Sequence, residues 1–202
     1  MKMRKRGIVY VLLSTLVVGS VVGSLMINNS LKEKELIPVS NPILDKVIPV
    51  STTAKEIVRP YTDATVTILS GFYDYKDESV RQINSIVFYD NTYMQNTGNI
   101  YASDNKFDVV SIADGEVIKV EDSQLFGKIV MIKHSDNLTS VYQFLEDTTV
   151  SPNKMIKQGE KIGVSGVSNI IDNTKNQLYF ELLVHDTLVD AENYYGKNIN
   201  EI

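Results

Sequence analysis

Two patterns of apolar and polar residues divide this 202-residue chain. From Gly7 to Ile27 runs an unbroken stretch of 21 uncharged residues rich in Val and Leu. From Ala64 onward the apolar residues come instead in short runs that tend to period two and are closed by Gly, Asn or Asp. Residues two apart in a strand share a face, so this second pattern predicts strands with one face on a core. The β-branched and aromatic residues of Ala64–Tyr75 and Ile83–Tyr89, broken by Gly71 and Asp90-Asn91, predict a hairpin. Further strands are expected over Val109–Ala113, Glu116–Val120, Lys128–Lys133, Thr139–Leu145, Lys161–Val164 and Leu178–Val184. A helical turn from Ala191 then leads to Tyr194-Tyr195, which closes the domain. The predicted fold class is all-β and antiparallel.

The uncharged run changes the picture of where such a domain sits. Lys2, Arg4, Lys5 and Arg6 precede it, and 21 residues at roughly 1.5 Å each span a bilayer core of about 30 Å. The spacing predicts a cytoplasmic basic tail over residues 1–6 and a transmembrane helix over 7–27, with everything beyond Asn28 outside. The alternative is a cleaved signal peptide with Val22-Gly-Ser24 as its small-residue site. An apolar core longer than the usual 7–15 residues favours the uncleaved anchor. Residues 28–54 mix charge with Pro38, Pro42 and Pro49 and show no sustained period, which predicts a partly extended tether. The β domain is expected over residues 55–202.

Composition narrows the chemistry. No cysteine is present, which excludes disulfides, thiolate metal sites and a thiol nucleophile. Beyond the four basic residues of the tail, 16 Lys and Arg stand against 25 Asp and Glu, a balance of −9. An exported part so acidic does not seek nucleic acid or anionic wall polymer by charge.

Several segments occur in a telling order. They are Phe107-Asp-Val-Val-Ser-Ile-Ala-Asp-Gly-Glu-Val117, Gly127-Lys-Ile-Val-Met-Ile-Lys-His134, Ser140-Val-Tyr-Gln-Phe-Leu145, Ile156-Lys-Gln-Gly-Glu-Lys-Ile-Gly-Val-Ser-Gly166 and Asn176-Gln-Leu-Tyr179-Phe-Glu-Leu182. From about Asn96 to Tyr195 the chain resembles the LytM (lysostaphin-type) zinc endopeptidase domain. The resemblance implies that family's antiparallel sheet fold. In active members a His-x-x-x-Asp pair and a further His hold zinc, and two more His help activate water. Placed on this chain, those positions fall on Asn96, Ile100, Phe144, Gln177 and Tyr179, with the motif's glycine kept as Gly98. A catalytic zinc takes three ligands from His, Asp, Glu or Cys plus an open water position, and none of the five residues is of those types. The resemblance therefore implies a degenerate domain without cofactor or catalytic residue.

The remaining chemistry-bearing residues have plain readings. His134 and His185 are expected to be solvated turn residues. Asp108 and Glu181 sit within apolar strands, where a raised pKa for acid–base work competes with the commoner outward-facing carboxylate.

Tyr93-Met-Gln-Asn-Thr-Gly98, Phe107-Asp-Val-Val-Ser111, Ser140-Val-Tyr-Gln143 and Asn193-Tyr-Tyr-Gly196 narrow the resemblance further, to the stage II sporulation protein Q family of endospore-forming Firmicutes. It implies a non-catalytic protein of the forespore membrane, single-pass with its N-terminus cytoplasmic, whose domain lies in the intermembrane space. There it binds a stage III sporulation protein AH-like membrane protein of the mother cell, in a ring-forming channel needed during engulfment. Two alternatives stay open: a degenerate activator of a separate cell-wall amidase, and a working peptidoglycan endopeptidase. A sheet edge can bind a partner through its main chain without needing charge. Phe72–Tyr75 and Ile86–Tyr89 are the candidate edges, with Tyr73, Tyr75, Val87 and Tyr89 as candidate contacts. The same aromatic residues also suit a core or cross-strand pairs.

Overall fold

A computed structural model describes residues 55–171 and 175–202. The expected tail, transmembrane helix and tether lie outside the described residues. Within them, twelve strands form: β1 (Thr67–Ser70), β2 (Ile86–Tyr89), β3 (Thr92–Gln95), β4 (Asn99–Ser103), β5 (Asp108–Val110), β6 (Gly115–Ser123), β7 (Gly127–Lys133), β8 (Leu138–Thr148), β9 (Met155–Ile156), β10 (Lys161–Ser165), β11 (Asn176–Val184) and β12 (Thr187–Val189). One short helix, α1 (Ser79–Asn84), and two 3₁₀ turns, Ala191–Asn193 and Ile199–Glu201, complete them.

The strands order as β1-β4-β11-β8-β7-β6-β9, with β10 pairing β5 and β8 and with β12 against β11. All of these pairs are antiparallel. β11 shows the period-two pattern at its clearest. Leu178, Phe180, Leu182 and Val184 point into the core, and Gln177, Tyr179 and Glu181 share the other face. Tyr101, Tyr142 and Phe180 pack on one another inside, with ring centroids 5.1 to 6.4 Å apart. The Tyr142 hydroxyl accepts the Ile112 amide. Arg59 ties the start of the described chain to its end through two 2.7 Å bonds to Glu192, which also accepts from Tyr101 Oη.

The first predicted hairpin forms differently. β1 pairs with β4, not with Ile83–Tyr89, and Ile83 belongs to α1. Gln82 explains the helical turn. Its amide donates to Asp77 O and Tyr75 O and accepts from the Tyr73 hydroxyl, gathering the loop into a coil before the strand begins. The hairpin that does form joins β2 to β3 across Asp90-Asn91, both at positive φ (47° and 59°) as a type I′ turn requires. It is a separate two-stranded sheet.

Candidate functional site

The outer face of β11 and the segment between β3 and β4 build the candidate site. Tyr179 lies opposite Ile100 on β4 and opposite Gln143 on β8. Phe144 sits beside Gln143 at a bulge in β8, at φ 63°, where its amide donates to Phe126 O rather than to the ladder. That bulge sets its ring between Phe126 (6.2 Å, stacked) and Tyr179 (5.5 Å). Ile100, Phe144, Gln177 and Tyr179 are thus brought onto one patch of sheet. Asn96 follows β3 nearby, but its side chain turns away. It donates to Gly71 O at 2.7 Å and to Ser70 Oγ at 3.3 Å, bracing the segment after β1.

Glu181, read from the sequence as an outward carboxylate, is the best-connected polar group on this patch. Oε1 accepts from Thr97 Oγ1 at 2.6 Å and from Tyr179 Oη at 3.1 Å, and Oε2 accepts from Gln143 Nε2 at 3.0 Å. Thr97 Oγ1 and Tyr179 Oη are themselves 2.7 Å apart. Burial raises the Glu181 pKa above the usual carboxylate value, against the lowering effect of the Thr97 and Tyr179 hydrogen bonds. Burial likewise raises the Tyr179 pKa, keeping it a neutral phenol. The sequence signal for this group is its place two residues beyond Tyr179, on the same face. Asp108 does face outward, paired with Lys161 at 2.6 Å.

A zinc ion does not fit the five positions. Ile100 and Phe144 have no donor atom, Asn96 is committed to Gly71, and the Tyr179 hydroxyl is locked between Thr97 and Glu181. Gln177 is fully buried with neither amide atom hydrogen-bonded. Among the described residues no group of three or more His, Cys, Asp or Glu is placed to hold a metal. An unpaired buried amide costs on the order of 1–3 kcal/mol. Gln177→Met, similar in shape and without the orphaned atoms, is expected to stabilise the domain by about 1–2 kcal/mol. Urea unfolding checks this, and a lower midpoint would show that the amide is satisfied in solution.

The two histidines differ. His185 is exposed in a tight turn with Asp186, both at positive φ. His134 is not the solvated turn residue expected of it. Its ring is part-buried, with Nδ1 on Asp114 O at 2.9 Å and Nε2 on Ser140 Oγ at 2.7 Å, and burial lowers its pKa to about 4.

Against known proteins, residues 94–191 match Peptidase family M23. The chain carries an M23-type domain. It is similar to stage II sporulation protein Q of Bacillus subtilis (strain 168), 27% identical over 161 residues that make up 78% of this chain and 57% of that protein. This chain thus spans little more than half the length of that relative. Among solved structures it resembles a chain of the SpoIIQ–SpoIIIAH pore-forming complex, at TM-score 0.70 and 26% identity, over 74% of this chain and 96% of that one. It also resembles a zinc-containing peptidase from Vibrio cholerae, at TM-score 0.56 and 25% identity, over 68% of this chain and 40% of that one. The M23-type sheet is therefore common to a zinc peptidase and to a protein solved in a pore-forming complex.

The candidate partner contacts scatter. Tyr75 is exposed with Lys76 over its ring, and Tyr73 is half-buried and bonded to Gln82. Val87 and Tyr89 are half-buried as well, and the exposed residues of β2 are their neighbours Ile86 and Phe88. The expected exposed edge thus has its alternation shifted by one residue.

Proposed function

We propose that this protein is a non-catalytic sporulation component held in the forespore membrane by residues 7–27. From there its domain crosses the intermembrane space and binds a stage III sporulation protein AH-like membrane protein of the mother cell. The pair form part of the ring of a channel used during engulfment. The observation that carries this reading is the match along 96% of a chain solved in the SpoIIQ–SpoIIIAH complex. The patch around Tyr179 supports it. Positions Asn96, Ile100, Phe144, Gln177 and Tyr179 supply none of the ligands a catalytic zinc takes, so what remains for the domain is to bind.

The full-length protein in detergent is expected to bind the exported domain of its host's AH protein at micromolar concentration or tighter. It is also expected to carry no stoichiometric zinc after dialysis and to leave cell-wall suspensions turbid. One zinc per chain, or chelator-sensitive wall clearing, would restore the peptidase reading. Failure to bind the AH domain, together with normal engulfment in a deletion strain, would favour an amidase activator instead.

A further inference from the structure

The β2–β3 hairpin stands apart from the main sheet. Neither of its strands contains a fully buried residue, and neither outer edge pairs with another strand among the described residues. A lone two-stranded hairpin is at best marginally stable in water. Natural proteins also guard free edges with charge, proline or a bulge, yet Ile86-Val-Phe-Tyr89 and Thr92-Tyr-Met-Gln95 hold no charge and no proline, and their register is unbroken. The exposed face carries Ile86, Phe88 and Tyr93, at 39%, 53% and 76% exposure, with the last two rings 4.8 Å apart. Just ahead of β2, α1 exposes Val80 and Ile83.

Hydrogen-bond parity fixes which amides are free. Tyr89 and Thr92 flank the two-residue turn and so form a bonded pair, as do Val87 and Met94. Asn96 N donating to Ser85 O at 2.9 Å continues the same alternation. Ile86 and Phe88 therefore turn their amides to the outer edge of β2, while Val87 and Tyr89 spend theirs on β3.

The charges beside this face suggest what covers it. Asp74, Asp77, Glu78 and Asp90 outnumber Lys76 and Arg81. Anionic lipid would be repelled, and a two-fold contact between copies of this chain would set carboxylates against carboxylates. We infer that the outer edge of β2 and the Ile86–Phe88–Tyr93 face receive an extended apolar strand of a partner protein flanked by Lys or Arg. This rests on the partner-binding reading above and places the contact on the hairpin.

The test uses the full-length protein in nanodiscs of neutral lipid, with the exported domain of the host's AH protein as probe. Phe88→Lys combined with Tyr93→Lys should weaken binding by at least about 30-fold, as loss of an interface hot spot does, with circular dichroism and melting unchanged. Val167→Lys, an equally exposed apolar site elsewhere, should bind as wild type. Glu78→Lys should slow association severalfold at low salt. If wild type binds and the hairpin variant binds equally, the hairpin is not the contact although the partner stands. If wild type does not bind, the partner reading falls and this contact with it. Self-association of the protein alone that the variant abolishes would make a second copy the occupant. Flotation with phosphatidylglycerol vesicles, lost in the variant, would make it lipid. Either result overturns the inference.

Discussion

Gly98→Ala is expected to lower the unfolding free energy of the domain by about 3 kcal/mol or more, the upper end of what overpacking a filled site costs. A β-carbon at residue 98 would stand 2.3 Å from Phe180 O, 2.8 Å from Glu181 Cγ and 2.9 Å from Tyr179 Cε2. The first of these is backbone of β11, paired on both sides, so relief requires moving β4 away from β11 or displacing the Thr97–Glu181 cluster. Gly71 is the internal control, since a β-carbon there meets only Ser85 Oγ at an ordinary 3.6 Å. Urea unfolding of the two alanine variants should separate them widely. Equal small losses would show that the β4–β11 seam is looser than these distances imply.

That seam also shows where the sequence was silent. β6, β7 and β11 lie where alternation predicts them, and β8 and β10, though largely buried, lie where apolar β-branched and aromatic runs do, with ends displaced by at most three residues. β4 gave no such signal because Asn99-Ile-Tyr-Ala-Ser103 is buried at every position, including its polar residues. Period two disappears when both faces of a strand are covered. The hairpin at Asp90-Asn91 was legible in its turn residues and strand β2 but not in its pairing, because Ile83 reads as a strand residue until Gln82 is seen gathering the loop into α1. At the site, the chemical character of the five positions followed from residue type alone. The Thr97–Tyr179–Glu181–Gln143 cluster did not, since it joins residues up to 84 apart in sequence and only strand register brings them together. His134 was misjudged for a related reason. Its neighbours Ser135, Asp136 and Asn137 signal a wet turn, while the ring folds back on Asp114 and Ser140.

Acid should therefore destabilise the domain in a window set by His134. The backbone carbonyl of Asp114 can only accept, so Nδ1 carries the proton and Nε2 accepts from the Ser140 hydroxyl. Protonating Nε2 would force the fully buried Ser140 hydroxyl to reverse, and burial adds the cost of a charge in the sheet. The pKa is accordingly depressed in the fold, from 6.5 to about 4. For a depressed group the stabilisation is complete above the unfolded value, and it drains away as pH falls through 6.5 toward 4. At 1.36 kcal/mol per unit, that is up to about 3 kcal/mol. Asp114, lowered to about 2 by the Gln158 amide and by Lys55 and Lys157, adds its loss only below its ordinary value of 3.8. Glu181 works the other way. Its folded pKa is raised, so it favours the fold below the ordinary carboxylate value and weakens it as pH rises through the raised one. The two groups can be told apart by substitution. In urea unfolding at pH 7, 5.5 and 4.5, His134→Gln should flatten the fall in stability toward acid whatever its offset at pH 7, and Glu181→Gln should steepen it. A His134→Gln profile parallel to wild type would mean that the imidazole titrates near its ordinary value and is not the group that sets the acid limit.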